Sequence, residues 1–166
     1  KILQEIQFLW YHILRLTLGG YVMKVSEIVL ENCSISYPLE RLVPLEKTLV
    51  FDIETTGFSP ASSTLYMIGC ARKNGKYICI DQFFAEKPEE ECLVLNAFLE
   101  ILNQYDTIIS FNGIGFDVPF LKAKCDRYDI PEHFKEFNYL DIFKSVSELK
   151  FLLKLPNYKQ KTIETF

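Results

Sequence analysis

The segment LVFDIETTGFSP, Leu49 to Pro60, reads as a β-strand running into a turn. Side chains alternate along a strand, so Leu49, Phe51 and Ile53 share one face while Asp52 and Glu54 share the other. The apolar side is enough for a central strand. Two neighbouring carboxylates beside a core strand repel each other and lose solvation, and a divalent cation answers both problems. The Thr55-Thr56-Gly57 turn leaves the strand tip open to a ligand, with Gly57 free to take a positive φ and let another backbone or a sugar approach.

A chain of 166 residues, 49% hydrophobic and 14% aromatic, suits one folded domain with its own core. Its five cysteines are odd in number and never spaced as Cys-x-x-Cys, so they read as reduced core residues of a cytoplasmic protein. His12 and His133 are the only histidines, which leaves little for a two-histidine zinc site or for Ser-His-Asp chemistry. Hydrolysis by this chain has to use carboxylates. Half of the 18 Lys and Arg residues fall after Phe116 although the net charge is -4, so a phosphate-facing surface is expected in the last third. Lys122, Lys124, Arg127, Lys150, Lys154, Lys159 and Lys161 are the candidates there, each weighed against an ordinary solvated helix face.

Before the strand, residues 1–22 carry an uncharged run from Ile6 to Leu14, too short to span a bilayer. No membrane partner is expected; a helix ending at Gly19-Gly20 is, followed by an extended lead-in through Pro38 and Pro44. Residues 1–44 are thus set apart from a domain over 45–166. After the strand, Thr64–Arg72 and Lys76–Phe84 are β-branched and aromatic runs joined at Lys73-Asn74-Gly75, a hairpin signal. Pro88–Gln104 predicts an amphipathic helix whose Glu89, Glu90 and Glu91 make a solvated N-terminus. Thr107–Phe111 reads as a buried strand, Asp117–Tyr128 as a helix and Glu136–Leu140 as a last short strand. Asp141 reads as the N-cap of a helix reaching about Leu153, ahead of the alternative that it approaches the same end of the sheet as Asp52 and Asp117.

This order predicts an α/β mixed sheet, three antiparallel strands then two parallel ones, flanked by helices. With a right-handed crossover the strand at Thr107 lies parallel to the strand at Leu49, and their C-terminal ends meet. Asp117 then approaches Asp52 and Glu54. Three converging acids with no basic partner in sequence suit Mg²⁺ or Mn²⁺, and the chemistry that uses such clusters is two-metal phosphodiester hydrolysis. Asp52, deepest on the strand, is the candidate to bridge two ions, with Glu54 completing one shell and Asp117 the other.

FDIETTGF (Phe51 to Phe58) followed by SFNGIGFDVPFL (Ser110 to Leu121) resembles the first two motifs of the DEDD, or DnaQ-like, 3′-5′ exonucleases of the ribonuclease H-like superfamily. LYMIG, QFFAE, YLDIFK and LPNYKQKTIE look like the YprB-type branch, and the resemblance spans roughly residues 45–166. It implies that Asp52, Glu54 and Asp117 are catalytic metal ligands. It also implies that Thr55, Thr56 and Gly57 line the place of a 3′-terminal nucleotide of DNA or RNA, and that Asn112 orients its loop or touches substrate. The third motif of that family, with its fourth acid and general base, is expected beyond Phe166. A chain without it is expected to be a poor catalyst, and a noncatalytic module binding nucleic acid or a protein partner is the alternative. A two-carboxylate glycosidase would instead need sugar-stacking aromatics beside the acids and no metal. Phe58 and Tyr158 are the aromatics considered for stacking on bases, against a core or rim position.

Overall fold

The computed structural model describes residues 12–18, 21–31 and 38–166. Its centre is β3 (Thr48–Thr55), in which Leu49, Phe51 and Ile53 are buried while Val50, Asp52 and Glu54 alternate onto the open face. On one side β3 pairs antiparallel with β4 (Leu65–Asn74), which pairs antiparallel with β5 (Tyr77–Phe84). The hairpin expected here forms one residue later than Asn-Gly would place it: Asn74 pairs with Tyr77 in the ladder, and the two-residue turn is Gly75-Lys76, with Gly75 at φ +59°. On the other side β3 pairs parallel with β6 (Thr107–Ser110), and β6 with β7 (Asn138–Asp141). These five strands are the three antiparallel and two parallel strands expected.

The sheet extends further. His12–Leu18 (β1) and Tyr21–Leu30 (β2) form an antiparallel hairpin with Leu18 opposite Tyr21, and β2 adds to β5, giving the order β1-β2-β5-β4-β3-β6-β7. The expected helix is therefore overturned at His12–Leu18. The segment HILRLTL alternates at period two, and Gly-Gly between two such runs is a hairpin signal as well as a helix stop. The part of that helix expected before His12 lies outside the described residues. The lead-in is not simply extended either: 3-10 turns at Leu39–Arg41 and Leu45–Lys47 begin directly after Pro38 and Pro44, whose fixed φ suits the start of a turn.

Two helices cover the buried face. α1 (Glu91–Leu102), entered through a 3-10 turn at Pro88–Glu90, crosses β4 and β5. Phe98 of α1 meets Phe51 of β3 with ring centroids 5.1 Å apart. α2 (Asp117–Arg127) adds Phe120, Leu121 and Cys125 to the same core. Each such buried Leu or Phe contributes about 1.5–3 kcal/mol. A one-residue slip of β3 would turn Leu49, Phe51 and Ile53 outward together, so the register that presents Asp52 and Glu54 is fixed by the core. Beyond β7, the single predicted helix is two: α3 (Ile142–Glu148) and α4 (Lys150–Leu153), broken at Leu149. α5 (Gln160–Glu164) closes the chain.

Candidate active site

The site forms where β6 ends before β3 does. Parallel pairing stops at Val50 opposite Ile109, yet β3 continues to Thr55. The amide of Ile53 is taken instead by a side chain: it donates to Oδ1 of Asp117 at 3.2 Å. Asp117, the first residue of α2, is thereby docked on the backbone between Asp52 and Glu54 although it lies 64 residues downstream. The approach of Asp117 to the strand that carries Asp52 is present, and the charge of Asp52 is felt at Asp117.

The loop that delivers Asp117 is held from within and from below. Asn112 adopts φ +62°, a conformation Asn tolerates better than most residues, and its carbonyl accepts from the amides of Gly115 and Phe116. Beneath it, buried Asp141 accepts from the Asn112 amide through Oδ1 at 3.0 Å and from the Ile114 amide through Oδ2 at 3.1 Å. Asp141 Oδ1 also accepts from the Lys144 amide at 3.1 Å, so it is the N-cap expected and a loop anchor besides. Gly113 is packed so closely that a Cβ would stand 2.3 Å from Oγ of Ser110 and 3.6 Å from Oδ2 of Asp117. Asn112, Ile114, Phe143, Lys144 and Ser147 line an adjacent cleft of about 380 Å³.

The electrostatics follow from burial. Desolvation and then the charge of Asp52 push the Asp117 carboxyl up to about 6, with Asp141 adding to the shift and the Ile53 amide opposing it. Asp52 is raised too, by desolvation and then by Glu54. Among the described residues no Lys or Arg pairs with Asp52, Glu54 or Asp117. Such a set of mutually repelling oxygen donors fits a hard cation. Among the described residues, however, no three His, Cys, Asp or Glu side chains already stand close enough together to hold one.

The turn after β3 is tied across its neck. Thr56 donates its amide to the Thr64 carbonyl, the Thr64 amide donates to Oγ1 of Thr56, and Oγ1 of Thr55 donates to the Gly57 carbonyl. Gly57 is not in the left-handed region, contrary to the freedom expected of it. What it supplies is closeness, since a Cβ there would stand 2.7 Å from Oγ of Ser63. Phe58 is 89% exposed, in a T-shaped contact with Phe116 at 6.1 Å between centroids, and so is not a core residue. Tyr158 is half-buried and donates to the Lys150 carbonyl.

Two expectations fail together. Glu90 and Glu91 are buried rather than solvated, and Lys124, offered as a phosphate contact, is 1% exposed. Lys124 pairs with Glu91 at 2.9 Å. The missed signal is periodic: Glu91 shares the helical stripe of Leu95, Phe98 and Leu102, and Lys124 that of Leu121 and Tyr128, so opposite charges lie on two apolar faces.

Residues 49–166 match the family described as the RNase_H superfamily. The chain belongs to the RNase H superfamily. Among curated proteins, this RNase H domain is 31% identical over 101 residues to a DNA polymerase of Methanocaldococcus jannaschii, covering 56% of this chain and 6% of the polymerase. It is 28% identical over 102 residues to the Bacillus subtilis protein YprB, covering 60% of this chain and 24% of YprB. The chain thus spans a minor part of these relatives. Among solved structures, Escherichia coli exonuclease I, in complex with a dT13 oligonucleotide, superposes with a TM-score of 0.50 at 14% identity. That match covers 69% of this chain and 34% of exonuclease I and shows the shared fold. The family read from the two motifs is the family found. No helix among the described residues is long and apolar enough to cross a membrane.

Proposed function

We propose that this RNase H domain is a divalent-cation-dependent nuclease that removes nucleotides from the 3′ end of single-stranded DNA or RNA. The observation that supports the reading is the hydrogen bond from Ile53 to Asp117, which brings a third carboxylate to the strand segment that carries Asp52 and Glu54. Asp52, Glu54 and Asp117 would hold Mg²⁺ or Mn²⁺, which when bound supplies an activated water and stabilisation of the leaving oxygen in phosphodiester hydrolysis. The chain's own residues do the rest. The Thr55–Gly57 backbone receives the terminal nucleotide, Phe58 offers an exposed ring to a base, and the Asn112 loop keeps Asp117 in place.

A second reading has its own support. The three acids are not already gathered as a metal site, which favours a module that binds nucleic acid or a protein partner without cleaving it. One experiment separates them. A 5′-labelled single-stranded oligonucleotide with Mn²⁺ is expected to yield a ladder shortening from the 3′ end, lost in Asp52→Asn and Asp117→Asn. Binding without cleavage by all three proteins would favour the noncatalytic module.

A further inference from the structure

We propose that Lys124 and Glu91 are positioning residues for the Thr55–Gly57 turn, fixing it relative to the helix that carries Asp117. The two side chains form a buried ion pair, 1% and 3% exposed. Nζ of Lys124 donates to the Ser63 carbonyl at 2.6 Å. Oε1 of Glu91 accepts from the Leu65 amide at 2.5 Å, and Oε2 accepts from the Tyr128 hydroxyl at 2.6 Å. The Lys124 ammonium also lies 5.6 Å from the centre of the Phe120 ring.

The pattern of partners argues for positioning over mere stability. Joining α1 to α2 does not require charge, because well-packed apolar residues of similar volume do this as well as a buried ion pair or better. An apolar pair cannot grip a carbonyl and an amide on either side of Thr64. That is what this pair does, one charge to each group. Thr64 in turn makes two hydrogen bonds to Thr56, and Ser63 fills the space that a side chain on Gly57 would need. A continuous set of contacts therefore runs from the ion pair, through residues 63–65, to Thr56 and Gly57. Lys124 lies two helical turns after Asp117 on α2, so one helix references both the turn and the carboxylate. Misplacement of such elements by 1 Å costs about 10²-fold in rate.

The inference rests on the nuclease reading for its kinetic arm alone. The test uses the double variant E91Q/K124M, which removes both charges together and so avoids stranding one in the core. Hydrogen exchange at the Thr56 and Thr64 amides is expected to quicken about tenfold, with Ile68 and Leu121 within about twofold of wild type. KM for a single-stranded oligonucleotide with Mn²⁺ is expected to rise about tenfold, with a smaller change in kcat. Lys124→Arg, which keeps the charge and the donors, is expected to hold exchange at Thr56 and Thr64 near wild type. Wild-type exchange at Thr56 and Thr64 in the folded double variant would overturn the proposal. Equal acceleration at Ile68 and Leu121 would do so too, by reducing the pair to general stabilisation. Absence of cleavage by the wild type would count against the nuclease reading, and the exchange measurement would still decide on the pair.

Discussion

Oδ1 of Asp117 accepts a hydrogen bond from the Ile53 amide at 3.2 Å, joining the start of a helix to the last third of the central strand. A strand amide left unpaired beside a buried carboxylate would cost about 1–3 kcal/mol, so the bond satisfies both groups. It also fixes where the carboxylate stands. The end of β3 that β6 leaves unpaired and the acid on α2 are one structural unit.

Asp117 makes stability depend on pH in the metal-free protein. Its folded pKa, about 6, lies above the usual carboxylate value of 3.8, so the folded state holds the proton more tightly. Stability is then greatest below the unfolded pKa and falls as pH rises from about 4 to about 6, by on the order of 2 kcal/mol. Urea titrations in a chelator at pH 4.5 and pH 7 are expected to show this fall, and Asp117→Asn, which keeps an oxygen for Ile53, is expected to reduce it. A pH-independent difference between the two proteins would contradict the assignment.

Gly113→Ala is expected to destabilise the domain by about 1–3 kcal/mol, the usual cost of overpacking. Its Cβ would stand 2.3 Å from Oγ and 2.5 Å from Cβ of Ser110. Adding Ser110→Gly removes the obstacle and is expected to recover most of the loss, which a double-mutant cycle measured by thermal unfolding will show.

Asp141→Ala removes the acceptor of three backbone amides, those of Asn112, Ile114 and Lys144. A loss of about 1–3 kcal/mol is expected, with faster hydrogen exchange concentrated in the 112–116 loop and the first turn of α3. Uniform acceleration through the sheet would mean that Asp141 supports the fold at large and has no special hold on the loop.

Phe58→Ala separates binding from folding. The ring is 89% exposed, so stability is expected to stay within about 0.5 kcal/mol of wild type. If a base stacks on the ring, affinity for single-stranded oligonucleotide falls by about 1–3 kcal/mol. Unchanged affinity in a titration calorimeter would remove Phe58 from the site.

Much of this arrangement is written locally. The alternation of Leu49 to Glu54 fixes both the core face and the acid face of β3, and Gly75, at positive φ, marks the hairpin turn between β4 and β5. The docking of Asp117 on the β3 backbone at Ile53 follows from parallel pairing, which the strand and helix order implies. What local patterns hide is long-range satisfaction. Asp141 is an ordinary helix cap by its neighbours, and nothing near it in sequence announces the Asn112 loop 29 residues away. Glu91 and Lys124 look like solvated charges until their helical stripes are compared, because the partner that makes burial tolerable lies on another helix. At the N-terminal side, the period-two alternation of HILRLTL runs only from Leu14 to Leu18, short enough to be read as the end of the apolar run before it, and the pairing of β1 with β2 and of β2 with β5 settles it as strand.

The central claim is that Asp52, Glu54 and Asp117 together take divalent cations. Crystals soaked in Mn²⁺ with a nucleoside 5′-monophosphate provide the direct measurement, because manganese can be located by its anomalous scattering. The account predicts a peak coordinated by Asp52 together with Glu54 or Asp117, and its loss in Asp52→Asn. A map with no manganese at these carboxylates, or with manganese only elsewhere on the surface, would contradict it.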